Sequence, residues 1–154
     1  MSELAERMQQ DLTAAMKARD ELRVATLRMA ISAVREEAVS GAQARELTDE
    51  EVERVLRSQV KRRDEAAEAF QAAGRDQQAT RELDERAILS AYLPEELDEA
   101  DLEALVDEAL AAGGFTDPSQ MGPAMNTAMA AVAGRAEGKR VSAIVKAKLT
   151  GHGG

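Results

Sequence analysis

The stretch from Leu47 to Arg75, LTDEEVERVLRSQVKRRDEAAEAFQAAGR, decides the fold. Thr48 stands at an N-cap position, and Glu51 at N3 completes a capping box. Leu47 and Val52 are placed as a hydrophobic staple. Val52, Val55, Leu56, Val60, Ala67 and Phe70 then keep helical spacing until Gly74, a C-terminal stop. The spacing predicts a helix of about 25 residues, long enough to reach across a small domain.

Helical signals continue upstream. Leu4, Met8, Leu12 and Met16 repeat every fourth residue. Asp20 can cap a second helix with Val24, Leu27, Ile31, Val34 and Ala38 on its inner face, ended near Gly41. The break at Arg19-Asp20 is weak in the sequence, so the two could run on as one. Downstream, a fourth helix is expected from Asp76, burying Leu83, Ala87 and Ile88. It stops at AYLP, because Pro94 cannot continue it.

Residues 94–98, PEELD, read as a short linker. Asp98 then caps a fifth helix lined by Leu102, Leu105, Val106 and Leu110, which Gly113 and Gly114 end. In FTDPSQMGPAM, Thr116 or Asp117 is the next cap and Pro118 suits a first turn. Pro123 predicts a kink or a late start. Met121, Met125, Met129 and Val132 form the expected buried side of that helix. Gly134 to Gly138 is a turn, and Val141, Ile144, Val145 and Leu149 mark a last helix. The tail GHGG is expected to fray. The fold class is therefore all-α, with a four-helix N-terminal domain over residues 1–93 and a small three-helix tail domain over residues 98–150.

Composition agrees. The 154-residue chain is 44% hydrophobic but only 2% aromatic, and Ala is its commonest residue. There are no cysteines, which removes disulfides, thiolate metal sites and cysteine nucleophiles. No apolar run reaches the ~18 residues of a membrane span, and the charged start MSELAERMQQDL lacks the apolar core of a signal peptide. A cytoplasmic location is expected.

Charge is spread unevenly around a net of -9. Residues 76–114 hold 2 basic and 12 acidic groups, whereas residues 115–154 hold 5 basic and 2 acidic. The positive end is GRAEGKRVSAIVKAKL, residues 134–149. Such runs often mark wet helix faces. The functional alternative is a phosphate-facing surface. Arg135, Lys139 and Arg140 flank a glycine turn ending at Gly138, and Lys146 follows Lys139 by two helical turns. Lys148 points elsewhere, near the helix C-terminus.

No catalytic constellation stands out. HExxH, GxGxxG and P-loop patterns are absent. His152 lies in a glycine tail. Glu82 with Glu85, and Glu95 with Glu96 and Asp98, read as solvated acids rather than acid/base pairs. No cofactor and no metal are expected. Tyr92 reads as an interdomain plug.

The segments AMKARDELRVATLRMAISAVREE, LTDEEVERVLRSQVKRRDEAAEAFQAAGR, Glu82 with Glu85, AYLPEEL, TDPSQMGPAM and GRAEGKRVSAIVKAKL resemble, in this order, the YqeY-like family. That family is similar to the C-terminal region of GatB, the B subunit of the tRNA-dependent amidotransferase. The resemblance implies a helical N-terminal domain and a three-helix tail that helps hold tRNA by shape and backbone. It places the contact region at Gly134 to Gly138 with Arg135, Lys139 and Arg140, plus Met121-Gly122. Pro123 departs from the polar or basic residue expected there. A label of carbon–nitrogen ligase with glutamine as amido donor would be inherited by similarity, since GatB's kinase-like cradle is absent. The expectation is a non-catalytic tRNA-binding or amidotransferase-associated adaptor. The alternative is a protein–protein interaction module without RNA binding.

Overall fold

The computed structural model describes residues 2–151. Among these, seven α-helices account for the regular structure together with one 3₁₀ turn. They are α1 (Glu3–Ala18), α2 (Glu21–Ala38), α3 (Asp49–Ala72), α4 (Asp76–Ser90), α5 (Glu99–Gly113), α6 (Met121–Val132) and α7 (Gly138–Gly151). The 3₁₀ turn, Pro118–Gln120, precedes α6. The chain divides into two compact units, one ending at Pro94 and the other beginning at Glu95.

In the N-terminal unit α1 and α2 are separate helices. Arg19 adopts a left-handed φ of 57°, and its N–H and that of Asp20 turn back to the carbonyls of Met16 and Ala15. This is a Schellman end. Asp20 then caps α2 by accepting from the Arg23 N–H at 3.1 Å. Thr48 Oγ1 likewise accepts from the Glu51 N–H at 3.2 Å, and the Glu51 carboxylate also lies 2.6 Å from Arg45. At the end of α3, Gly74 and Arg75 bond back to Gln71 and Phe70 in a second Schellman end.

The core of this unit gathers Met8, Leu27, Ile31, Leu47, Val52, Leu56, Ile88, Leu89 and Tyr92. Two sequence expectations are corrected here. Met16 is 50% exposed; the turn of α1 that would bury it presents Ala15 instead. Leu83 and Ala87 are exposed, and α4 buries Ala79, Glu85, Ile88 and Leu89. Tyr92, read as an interdomain plug, belongs to the core of the N-terminal unit: its hydroxyl donates to Asp11 Oδ2 and the Arg7 guanidinium lies 4.7 Å over its ring.

Glu85 is the larger correction, because it is not a solvated acid. Its carboxylate is buried beside the Arg63 guanidinium, with Nε 3.6 Å away. The more exposed Arg81 approaches the other oxygen at 3.4 Å. Arg63 Nη1 donates to the Gln59 backbone oxygen at 3.0 Å and to its side-chain oxygen at 2.9 Å. The α3–α4 hairpin is thus clamped by a buried ion pair.

In the C-terminal unit α5, α6 and α7 enclose an apolar core. Asp98 caps α5 by accepting from the Asp101 N–H at 2.8 Å. Gly114 ends α5 at φ 69°, and the Phe115 ring fills the space a Cβ at Gly113 would need. Asp117 forms a capping box with Gln120 around the 3₁₀ turn. The α-helix proper starts at Met121, which is the late start that Pro123 predicts: there the proline sits in the first turn, where its missing N–H costs little. The buried stripe of α6 is Ala124, Ala128 and Val132, while Met121, Met125 and Met129 are only partly buried and pack at its flank. Small side chains let α5 and α7 approach closely, so the long thioethers are displaced to the edges.

Candidate nucleic-acid interface

The five basic residues of the tail fall into two groups. Arg135 and Arg140 hold the chain just before α5 against the α6–α7 turn. Arg135 Nε donates to the Glu95 carbonyl at 3.1 Å, and the Leu97 N–H donates to the Arg135 carbonyl at 2.8 Å. Arg140 Nη2 reaches the Leu97 carbonyl and a Glu99 carboxylate oxygen, each at 3.2 Å. Two residues read as linker, Glu95 and Leu97, are therefore bonded to the tail's turn and the start of α7. Ala136 is buried between these contacts. The guanidinium donors are occupied by carbonyls that would otherwise need water.

Lys148 faces α5 as well. Its Nζ bridges Glu103 at 3.1 Å and Asp107 at 3.0 Å. Hydrogen bonds to Asp107 and then Glu103 raise its pKa above the ordinary lysine value. Both carboxylates are about half exposed to solvent, so the bridge contributes little stability.

Lys139 and Lys146 form the second group. Both are exposed and form no ion pair among the described residues. Seven residues apart on α7, they share one face and stand ~10 Å apart along its axis. Gly138 opens α7. The Arg140 and Val141 N–H groups donate to the Glu137 carbonyl; those of Gly138 and Lys139 have no acceptor within the helix and lie at the positive end of its dipole. The candidate residues thus separate into two tethers, Arg135 and Arg140, and an open cationic face of Lys139 and Lys146 beside a helix N-terminus. Of the Met121-Gly122 pair, Gly122 is exposed and Met121 half-buried.

The tethers could not be found from sequence, since they join residues 40 and 43 positions apart. Among the described residues no group of three or more acidic, histidine or cysteine side chains could hold a metal ion. No helix among the described residues is long and apolar enough to cross a membrane. His152 lies outside the described residues.

The sequence model of the YqeY-like protein family matches residues 5–149. The chain belongs to the YqeY-like family. The match runs through all seven helices, so the family assignment covers the N-terminal unit of this YqeY-like chain as well as its tail. No curated protein matches the chain.

Proposed function

We propose that this YqeY-like protein is a non-catalytic adaptor that binds folded tRNA, or an assembly acting on it, through the C-terminal unit. The observation that supports this most directly is the free cationic face of Lys139 and Lys146 beside the N-terminus of α7. Two cations and a helix start suit phosphate oxygens and carry no means of reading bases. With one tyrosine, buried, and two phenylalanines in the chain, stacking on single-stranded bases has little to work with. The acidic stretch 76–114 repels polyanions and confines the contact to a small area.

The test is binding of the purified full chain to folded tRNA over a salt series. Lys139→Glu/Lys146→Glu is expected to weaken binding at least ~10-fold at low salt and to reduce the salt slope by about 2. Arg140→Glu is a poorer probe, since it also breaks the tether to Leu97 and Glu99. Unchanged binding in the double lysine variant, or no binding by the unaltered chain at low salt, overturns the reading.

A further inference from the structure

The chain has no cysteine, so its methionines are its only sulfur. Two of them are large exposed apolar residues: Met16 at 50% and Met29 at 55%. Met8 is fully buried, and Met121, Met125 and Met129 pack partly buried against the tail core. Each exposed thioether meets a guanidinium. Arg28 Nη2 lies 3.9 Å from Met16 Sδ, and Arg63 Nη2 lies 3.7 Å from Met29 Sδ.

The two contacts differ in the state of the arginine. Arg28 is exposed. Arg63 is only 4% exposed, and its Nε has no hydrogen-bond acceptor although the Glu85 carboxylate is 3.6 Å away. A buried, incompletely bonded cation therefore directs a donor at a thioether, which is a weak acceptor. Met29 itself is 55% exposed to solvent.

We propose that Met29 is a site of sulfoxidation whose product is held by Arg63. Hydrogen peroxide is the oxidant. A sulfur lone pair attacks one peroxide oxygen and the O–O bond breaks. That oxygen stays on sulfur and gives up its proton; the other leaves as hydroxide and takes that proton to become water. Sulfur gives up two electrons and the peroxide takes them. The sulfoxide oxygen is a strong acceptor, and rotation about the side-chain bonds of the exposed Met29 turns it to the Arg63 Nη2 donor, so the weak contact becomes a charge-assisted hydrogen bond. A sulfoxide in an apolar setting disrupts packing; here the new oxygen meets a donor already in place. Oxidation ties α2 more firmly to α3, and methionine sulfoxide reductases can reverse it.

The full chain carrying Met16→Leu is treated with dilute hydrogen peroxide, and each methionine is followed by peptide mass mapping. Met29 is expected to oxidise about fivefold faster than Met121, Met125 and Met129, in keeping with its exposure. The oxidised protein is expected to melt about 4 °C above the untreated one. Met29→Leu in the same background shows no rise. Arg63→Lys loses it, read as oxidised against untreated protein of the same variant. If Arg63→Lys does not fold, Met29→Gln places an amide oxygen near Arg63 and must melt above Met29→Leu. Oxidation of Met29 at the rate of the tail methionines overturns the proposal. So does an oxidised protein that melts below the untreated one, or a glutamine variant no more stable than the leucine one.

Discussion

In the N-terminal unit a guanidinium and a carboxylate are buried among the helices, together with Thr26 and Gln59. In the C-terminal unit the buried side chains, among the described residues, are all apolar, and the ions lie at the rim, where Arg140 and Lys148 reach back to α5. The two interiors answer different needs. Helices α3 and α4 face each other with few large apolar residues, and a buried pair fixes their register at the cost of desolvating two charges. The three tail helices are short and carry closely packed Ala, Val and Leu. Their arrangement needs no buried charge, and the arginines are left to secure the chain entering the unit.

The comparison is broken most severely by removing one half of the buried pair. Glu85→Ala leaves the Arg63 guanidinium buried beside only Gln59 and the Met29 sulfur. A loss of about 3–5 kcal/mol in the N-terminal unit is expected. The only tyrosine, Tyr92, lies in that unit's core, so tyrosine fluorescence during urea unfolding reads this unit selectively. Arg63→Met/Glu85→Leu should recover most of the loss, because the charge and its counter-charge leave together. If Glu85→Ala costs under about 1 kcal/mol, the pair is not buried in solution.

Leu102→Ala is the corresponding change in the apolar interior. Leu102 is fully buried, and its truncation is expected to cost about 3 kcal/mol, transfer and cavity together. Amide hydrogen exchange should show faster opening of α5, α6 and α7 with α1 to α4 unchanged. Equal acceleration in both units would show that they unfold as one body, and the contrast between their interiors would lose its energetic meaning.

A smaller effect distinguishes the units by pH. Burial, and then the hydrogen bond to Asp11, hold the Tyr92 phenol's pKa well above its usual value near 10. The neutral phenol is thus favoured in the folded state. The unfolded chain ionises first as pH rises, so the contribution is complete below about pH 10 and is lost above it. Ultraviolet absorbance reports this single phenol directly. Its ionisation should be delayed past pH 10 and coincide with loss of the N-terminal unit. Tyr92→Phe should remove this part of the alkaline decline, and a phenol that titrates near 10 in the folded protein would contradict the buried bond.

How much of this could be read in the sequence depends on range. Thr48, Asp98 and Asp117 announce their helices because each cap bonds to a neighbour two or three residues away. Pro123 fixes the start of α6 by its own ring. The paired acids Glu82 and Glu85 look alike in sequence, yet only Glu85 is buried, and what decides this is the position of Arg63 on another helix. The same holds for the tail's basic residues: the sequence brings together five cations, and only the fold shows that Arg135, Arg140 and Lys148 are occupied while Lys139 and Lys146 are open. Helical spacing also cannot rank Met against Ala on α6, because the neighbouring helices decide how much room the stripe has.

The helix ends give the finest comparison. Three of them close in the same Schellman pattern: α1 at Arg19, α3 at Gly74 and α5 at Gly114, with φ of 57°, 73° and 69°. Two have glycine and one has arginine. An L side chain in the left-handed region costs roughly 1–2 kcal/mol. Glycine avoids this but gives the unfolded chain more freedom, which takes back about 0.4–1 kcal/mol. The first term is the larger, so Arg19→Gly is expected to stabilise the N-terminal unit by about 0.5–1 kcal/mol. Gly114→Ala should destabilise the C-terminal unit by a similar amount. Urea midpoints read by tyrosine fluorescence for the first, and by hydrogen exchange at α5 for the second, measure both. A loss of stability in Arg19→Gly would mean that the arginine side chain contributes more at the α1–α2 corner than its backbone strain costs.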